Sequence, residues 1–268
     1  MADRLSLAPL TINEAGPLEL IAAASAGGFD AVSLRVIGPP GVETDVVSGA
    51  RIPEIRRRAG DLGIGIFATT GIWLAPDFEV SRVEHALANA AALGAAHCLA
   101  AGYDDDWPRL TANFATLCRT AARLGLSVGI EFMPYLPVKN IGDAARLLRA
   151  AGQPNAGIIV DALHLARSGG APGDVAAIEP WLISYVQLCD APRERPPTLE
   201  RREESLRHRL YPGDGALPLF DLMDALPRNV TVDVEAPVAA DAHLPFDERA
   251  RRAGGAARRF LQRCGERR

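Results

Sequence analysis

One rhythm constrains this chain more than any other feature: eight short apolar runs, each followed by a longer amphipathic segment, fill most of its 268 residues. The runs are residues 5–10, 31–36, 63–68, 95–100, 127–132, 157–160, 183–188 and 230–234. Runs this short and this apolar read as strands buried on both faces, as in a parallel sheet covered by helices. The segments between them, such as EAGPLELIAAASAG and SRVEHALANAAALG, carry helical periodicity. Several close on a glycine just before the next strand, where a left-handed helix cap is expected. Repeated βα units of this kind predict an α/β fold, a closed (β/α)₈ barrel forming a single domain over residues 1–268. A doubly wound open sheet is the rival, but no glycine-rich phosphate loop follows the first run.

Composition narrows the function. A chain that is 48% hydrophobic can bury one large core, and its net charge of −4, with both signs dispersed, supplies no electrostatic footprint for nucleic acid or an anionic membrane. A small-molecule substrate is the expected partner. No segment approaches the ~20 uninterrupted apolar residues of a membrane span, and the start has no leader pattern, so a cytoplasmic location is expected. Cys98, Cys118, Cys189 and Cys264 show neither CxxC nor short Cys/His spacing, which argues against a disulfide framework and a structural zinc.

The strand ends carry the chemistry. In a barrel of this kind the active face lies at the C-terminal ends of the strands. The fifth run ends in Glu131, the sixth in Asp161, the seventh includes Gln187 and the eighth leads to Glu235. Neighbouring strands lie ~5 Å apart, so these four side chains should converge on one side of the mouth. Three crowded carboxylates repel one another unless protons or a cation intervene, and a divalent metal is the economical solution. An all-oxygen donor set suits Mg²⁺ or Mn²⁺ and disfavours a zinc hydrolase. Each residue also has a bland role: Asp161 as a helix N-cap, Gln187 as a partner of a neighbouring strand, Glu131 or Glu235 as partners of a loop arginine.

The stretches GIEFMPY, VDALHLARSGG, YVQLCDAP, RLYPGDGALPL and VDVEAP resemble the sugar phosphate isomerase/epimerase superfamily, the xylose isomerase-like TIM barrels. The resemblance is most specific from Glu131 onward. It implies that Glu131, Asp161, Gln187 and Glu235 bind one divalent metal, Mn²⁺ or Mg²⁺. A glutamine at the seventh strand places the chain nearer the hydroxypyruvate isomerase-like branch than the ketose 3-epimerases. It further implies an isomerase or epimerase of a small α-hydroxy carbonyl compound, with Glu131 and Glu235 exchanging a proton at a carbon whose enediolate the metal stabilises. His164 and Arg209 correspond to substrate-contacting residues of that family, and relatives are often dimers or tetramers, so a homo-oligomer is an expectation by analogy. On the second strand Ser33 and Arg35 stand where many relatives carry a glutamate. Arg35 either meets a substrate oxygen or forms an outward salt bridge.

Two alternatives remain open, and a third is disfavoured. A lyase or dehydratase begins with the same proton abstraction, and a non-catalytic binding barrel needs no complete ligand set. DNA-repair endonucleases share the superfamily but use several metals and many more histidines than the five here. The polar segment APRERPPTLERREESLRHRLYPGDG after the seventh run is either an active-site lid or a charged surface excursion. His97 is expected to be packed and hydrogen-bonded. Trp73, Trp107, Phe132 and Tyr135 are candidates for an apolar substrate wall.

Overall fold

The computed structural model describes residues 4–38 and 45–267, and all eight expected strands are present in one closed parallel barrel. They are β1 (Leu5–Leu7), β2 (Ala31–Arg35), β3 (Gly65–Leu74), β4 (His97–Gly102), β5 (Ser127–Glu131), β6 (Ala156–Asp161), β7 (Ile183–Leu188) and β8 (Val232–Val234). Each pairs with its sequence neighbours, and β1 closes the ring against β8 through Leu5↔Val232, Ser6↔Asp233 and Leu7↔Val234. The strands are hydrophobic on both faces because both are covered, the inner face by the opposite side of the barrel and the outer face by helices. A small cluster of Ala31, Phe67, Ala68, Leu99, Ile159 and Tyr185 fills the interior, while the large core lies between strands and helices.

The helices follow as α1 (Pro17–Ala26), α2 (Ile52–Asp61), α3 (Val80–Leu93), α4 (Trp107–Ala122), α5 (Ile141–Ala151), α6 (Ala162–Arg167), α7 (Pro172–Ala176), α8 (Arg201–Arg207), α9 (Leu219–Ala225) and α10 (Phe246–Glu266). Local sequence sets their ends. Asp106 and Asn140 cap α4 and α5 by accepting from the backbone N–H of Arg109 and Asp143. Gly94 and Gly152 end α3 and α5 with φ of 84° and 61°, the left-handed conformation expected of a closing glycine. Among the described residues no helix is long and apolar enough to cross a membrane.

Two departures from the expected boundaries matter for the site. β3 runs on to Leu74, well beyond residue 68, with a register shift between Thr69 and Ile72. At the irregularity Gly71 adopts φ 117°, and the Ile37 carbonyl packs where a side chain would stand. The extension carries Trp73 up to the mouth. The long seventh connection is not bare loop: it contains α8, and Asp190 and Leu210 pair backbone to backbone in both directions at 2.8 Å.

Candidate active site

Strand alternation dictates which side chains enter the barrel. On β5, Leu99 and Ala101 of β4 face Gly129 and Glu131; on β6 and β7, Asp161 pairs with Gln187; and Gln187 pairs with Asp233 on β8. Inward-facing positions recur every second residue. Glu131, Asp161, Gln187 and Glu235 therefore share the C-terminal mouth, as expected from the sequence, and all four are buried.

Asp161 divides its carboxylate between two tasks. Oδ1 caps α6 by accepting from the His164 backbone N–H at 2.8 Å, so the helix-cap role is real. Oδ2 accepts from Arg209 Nη1 at 2.6 Å. Arg209 itself arrives from the seventh connection and is fully enclosed; its Nη2 lies 3.2 Å from Glu235 Oε2, and Nη1 and Nε donate to the carbonyls of Glu235 and Ser205. Its guanidinium is thus the counter-charge between the sixth and eighth strand ends. The bland role for Glu235, a loop-arginine partner, is also real.

Three groups could hold a metal ion. Glu131, Asp161 and His164 each offer one ligand atom, all within 4.8 Å of one another. His164 Nε2 lies 3.7 Å from Glu131 Oε1. Gln187 supplies the test of fit: its amide is buried, and among the described residues neither Oε1 nor Nε2 has a hydrogen-bond partner. A buried amide without partners is costly in a packed interior and is accounted for by a ligand it awaits. The expected pairing of Gln187 with a neighbouring strand is not made. With an imidazole nitrogen in the group, the donor set is less purely oxygen than the sequence implied.

The electrostatics separate the acids. Burial, reinforced by Glu235 and Asp161, pushes the Glu131 carboxyl well above the usual carboxylate range. Burial also raises Glu235, to about 7, against the pull of Arg209. For Asp161 burial again acts upward, but Arg209 and His164 outweigh it and hold the carboxyl below its ordinary value. Burial lowers the His164 imidazole to about 4, which leaves it neutral at physiological pH. One mouth therefore contains a firmly ionised carboxylate, two carboxyls tuned upward and a neutral imidazole, a set able to accept and return a proton.

Above these groups lies a compact cavity of about 90 Å³, lined by Arg35, Trp73, Met133, Tyr135, Glu131 and Glu235 among others. Trp73 is fixed by Nε1 donating to the Gly38 carbonyl at 3.1 Å, and Tyr135 by its hydroxyl 2.9 Å from Ser205 Oγ. Of the aromatic residues expected near the mouth, Trp73 and Tyr135 line this cavity. Phe132 is corrected: one residue past inward-facing Glu131, it points into the outer core. Trp107 is also corrected; it starts α4 and stacks under Arg146 at 4.0 Å. His97 packs against Phe67 and Tyr185 as expected, but among the described residues its buried Nδ1 has no hydrogen-bond partner.

Sequence reading passed over Asp233 and Asp190. Asp233 stands two residues before Glu235 and so shares its inward face; Ser33 Oγ donates to it at 2.9 Å. Asp190 accepts from the backbone N–H groups of Ala191, Gly213, Gly215 and Leu217, which pins the PGDG turn and the chain leading from Arg209. The strand period could have revealed Asp233; no local pattern pointed to Asp190. The four cysteines are all buried.

Barrel, strand-end acids and comparison agree on the class: the chain belongs to the xylose isomerase-like TIM barrel family, whose model matches residues 21–260. Among curated proteins it is 28% identical over 249 residues to a 3-dehydroshikimate dehydratase of Pseudomonas aeruginosa and 28% identical over 227 residues to one of Pseudomonas putida. These matches cover 86% and 78% of the chain but only 37% and 34% of the relatives, so the chain spans about a third of their length. Among solved structures, a xylose isomerase-like TIM barrel/4-hydroxyphenylpyruvate dioxygenase fusion protein superimposes with a TM-score of 0.80 at 20% identity, covering 100% of this chain and 44% of that one. An IolI protein with a bound zinc atom gives 0.78 at 16% identity over 97% and 98% of the two chains. The D-psicose 3-epimerase of Clostridium cellulolyticum gives 0.72 at 15%, over 97% and 98%.

Proposed function

We propose that this chain is a metal-dependent enzyme that abstracts a proton beside the carbonyl of a small hydroxy-carbonyl compound and expels water from the neighbouring carbon. The observation that carries the reading is geometric: Glu131, Asp161 and His164 bring ligand atoms within 4.8 Å of one another, Gln187 is buried without a hydrogen-bond partner among the described residues, and Glu235 opens on the same cavity as Glu131. Glu131, Asp161, His164 and Gln187 would hold the ion, with Glu235 beside them across Arg209. A divalent ion bound there supplies Lewis-acid polarisation of the substrate carbonyl, which acidifies the adjacent C–H.

The chain's own residues do the rest. One glutamate, ionised, takes the proton from carbon; the C–H electron pair becomes the new C=C bond as the C–O bond breaks, and the departing hydroxyl takes a proton to leave as water. A carboxyl near 7 can play either part at physiological pH. Neutral His164 can donate an N–H to a substrate oxygen, and Arg209 keeps Asp161 ionised while fixing Glu235. Trp73, Tyr135 and Leu206 narrow the entrance and limit water beside the reacting carbon. Dehydration is favoured over isomerisation because the curated relatives matching most of the chain are dehydratases. Isomerisation or epimerisation, the second reading, shares the proton abstraction and is favoured by the strand-end motif itself.

The test is incubation of the purified protein with Mn²⁺, Mg²⁺ or Zn²⁺ in D₂O, with 3-dehydroshikimate and a panel of ketoses as probes. Loss of water with a new conjugated chromophore supports dehydration. Deuterium in an otherwise rearranged or recovered skeleton supports isomerisation. No exchange and no elimination with any ion overturns the enzymatic reading.

A further inference from the structure

Arg35 sets a problem that the proton-transfer chemistry does not solve. It ends β2 on the same inward face as Ser33, is 6% exposed and lines the cavity. Its guanidinium donates to the Asn13 side-chain oxygen at 2.8 Å and the Asn13 carbonyl at 3.5 Å, both neutral acceptors. Among the described residues it forms no ion pair. The other two buried arginines behave differently: Arg209 pairs with Asp161 and Glu235, and Arg249 pairs with Glu14 at 3.0 Å. A guanidinium has five N–H donors, and two contacts to asparagine oxygens leave most of that capacity unused. Burial lowers Arg35 to about 10, against the attraction of Glu235 and Glu14, so it stays protonated at neutral pH.

A buried cation whose partners among the described residues are all neutral, facing a cavity, is arranged for an anion that arrives with the ligand. Resting on the reading of this mouth as the reaction site, we propose that its substrate carries a carboxylate and that Arg35 receives it, holding the reacting carbon toward Glu131 and Glu235. The planar fork of a guanidinium matches a carboxylate in two parallel hydrogen bonds. A phosphate monoester fits less well, because a second negative charge would stand among the strand-end acids with one cation to meet it. Trp73, Met133 and Tyr135 give the body of the ligand an apolar wall, which suits a compact ring acid over an open polyhydroxy chain.

Binding to the Mn²⁺-loaded protein is measured by calorimetry for 3-dehydroshikimate, its uncharged methyl ester, D-fructose and inorganic phosphate, in wild type, Arg35→Met and Arg35→Lys. Wild type should favour the acid over the ester by roughly 30-fold, the scale of a charge-assisted pair. Arg35→Met should bring that ratio near one, Arg35→Lys should keep part of it, and Arg35→Met should melt no lower than wild type without metal, since it removes a buried charge that has no ion-pair partner among the described residues. Equal binding of acid and ester by wild type, a ratio unchanged in Arg35→Met, tighter binding of phosphate than of the acid, or no binding of the acid at all overturns the assignment. Proton exchange in D₂O separates the two claims: exchange on neutral probes without acid preference leaves the reaction standing and removes Arg35's role. Arg35-dependent binding of the acid without exchange or elimination does the reverse.

Discussion

Arg209 Nη1 stands 2.6 Å from Asp161 Oδ2 with both side chains shut away from solvent. The pair joins a loop to a strand end 48 residues earlier and holds Asp161 below the ordinary carboxylate range against its burial. Removing one partner of a buried ion pair leaves the other uncompensated, which costs about 3–5 kcal/mol. Arg209→Met should lose about that much stability in urea unfolding with chelator present. Mn²⁺ should recover part of the loss by supplying positive charge to the same acids; an equal deficit with and without the ion would show that the two charges do not substitute for one another.

Gln187 makes the opposite prediction. A buried amide with no partner costs about 1–3 kcal/mol, so Gln187→Met should leave the metal-free protein as stable as wild type or raise it by about 1 kcal/mol. The same change should shrink the rise in Tm on adding Mn²⁺ or Zn²⁺, because a ligand for the native state alone stabilises in proportion to its affinity. A full thermal response in the variant would remove Gln187 from the ligand set.

The two glutamates can be separated from the fold. Glu131→Gln and Glu235→Gln should each lower turnover by about 10²–10⁴-fold, the range for a positioned acid or base. Glu131→Gln should not lower the metal-free Tm, since burial already favours the neutral carboxyl at that position. Wild-type rates in either variant, followed by proton exchange, would take that residue out of the chemistry.

Asp233 gives stability a pH dependence of known sign. Burial raises its carboxyl from 3.8 to about 7 in the folded chain. The folded state thus holds this proton more tightly than the unfolded state. There is no penalty below pH 4; the penalty grows as pH rises from about 4 to 7 and reaches about 4 kcal/mol above that. Asp233→Asn keeps an acceptor for Ser33 and lacks the titration. Its stability relative to wild type, in chelator, should be near zero at pH 4 and most favourable near pH 8; a gap independent of pH would contradict the raised carboxyl.

Much of this arrangement is legible in the sequence alone. Apolar runs bounded by helix-closing glycines located all eight strands, and the polar residues at the last four located the acids, because a carboxylate on a strand buried on both faces has only the barrel mouth to go to. Phe132 shows a reading that was available and not taken: with Glu131 inward, its neighbour must face out. Other features were beyond local pattern. Arg209 reaches Asp161 only through a connection whose path is fixed by Asp190 and the Leu210 bridge, contacts made between distant backbone groups. The length of β3 depended on whether Gly71 would break the strand or bend it, which rests on the approach of Ile37 from the neighbouring segment. The orphan state of Gln187 is a property of three dimensions, since any neighbouring hydroxyl would have satisfied it.

The barrel's mouth is lopsided. β5 to β8 present the ionisable machinery, while β2 and β3 present Arg35, Thr70 and Trp73 over the same hollow. A lineage that kept one semicircle could exchange the other and acquire a new diet without rebuilding its reactive chemistry, and a protein engineer could follow the same route by varying positions 35, 70 and 73 alone.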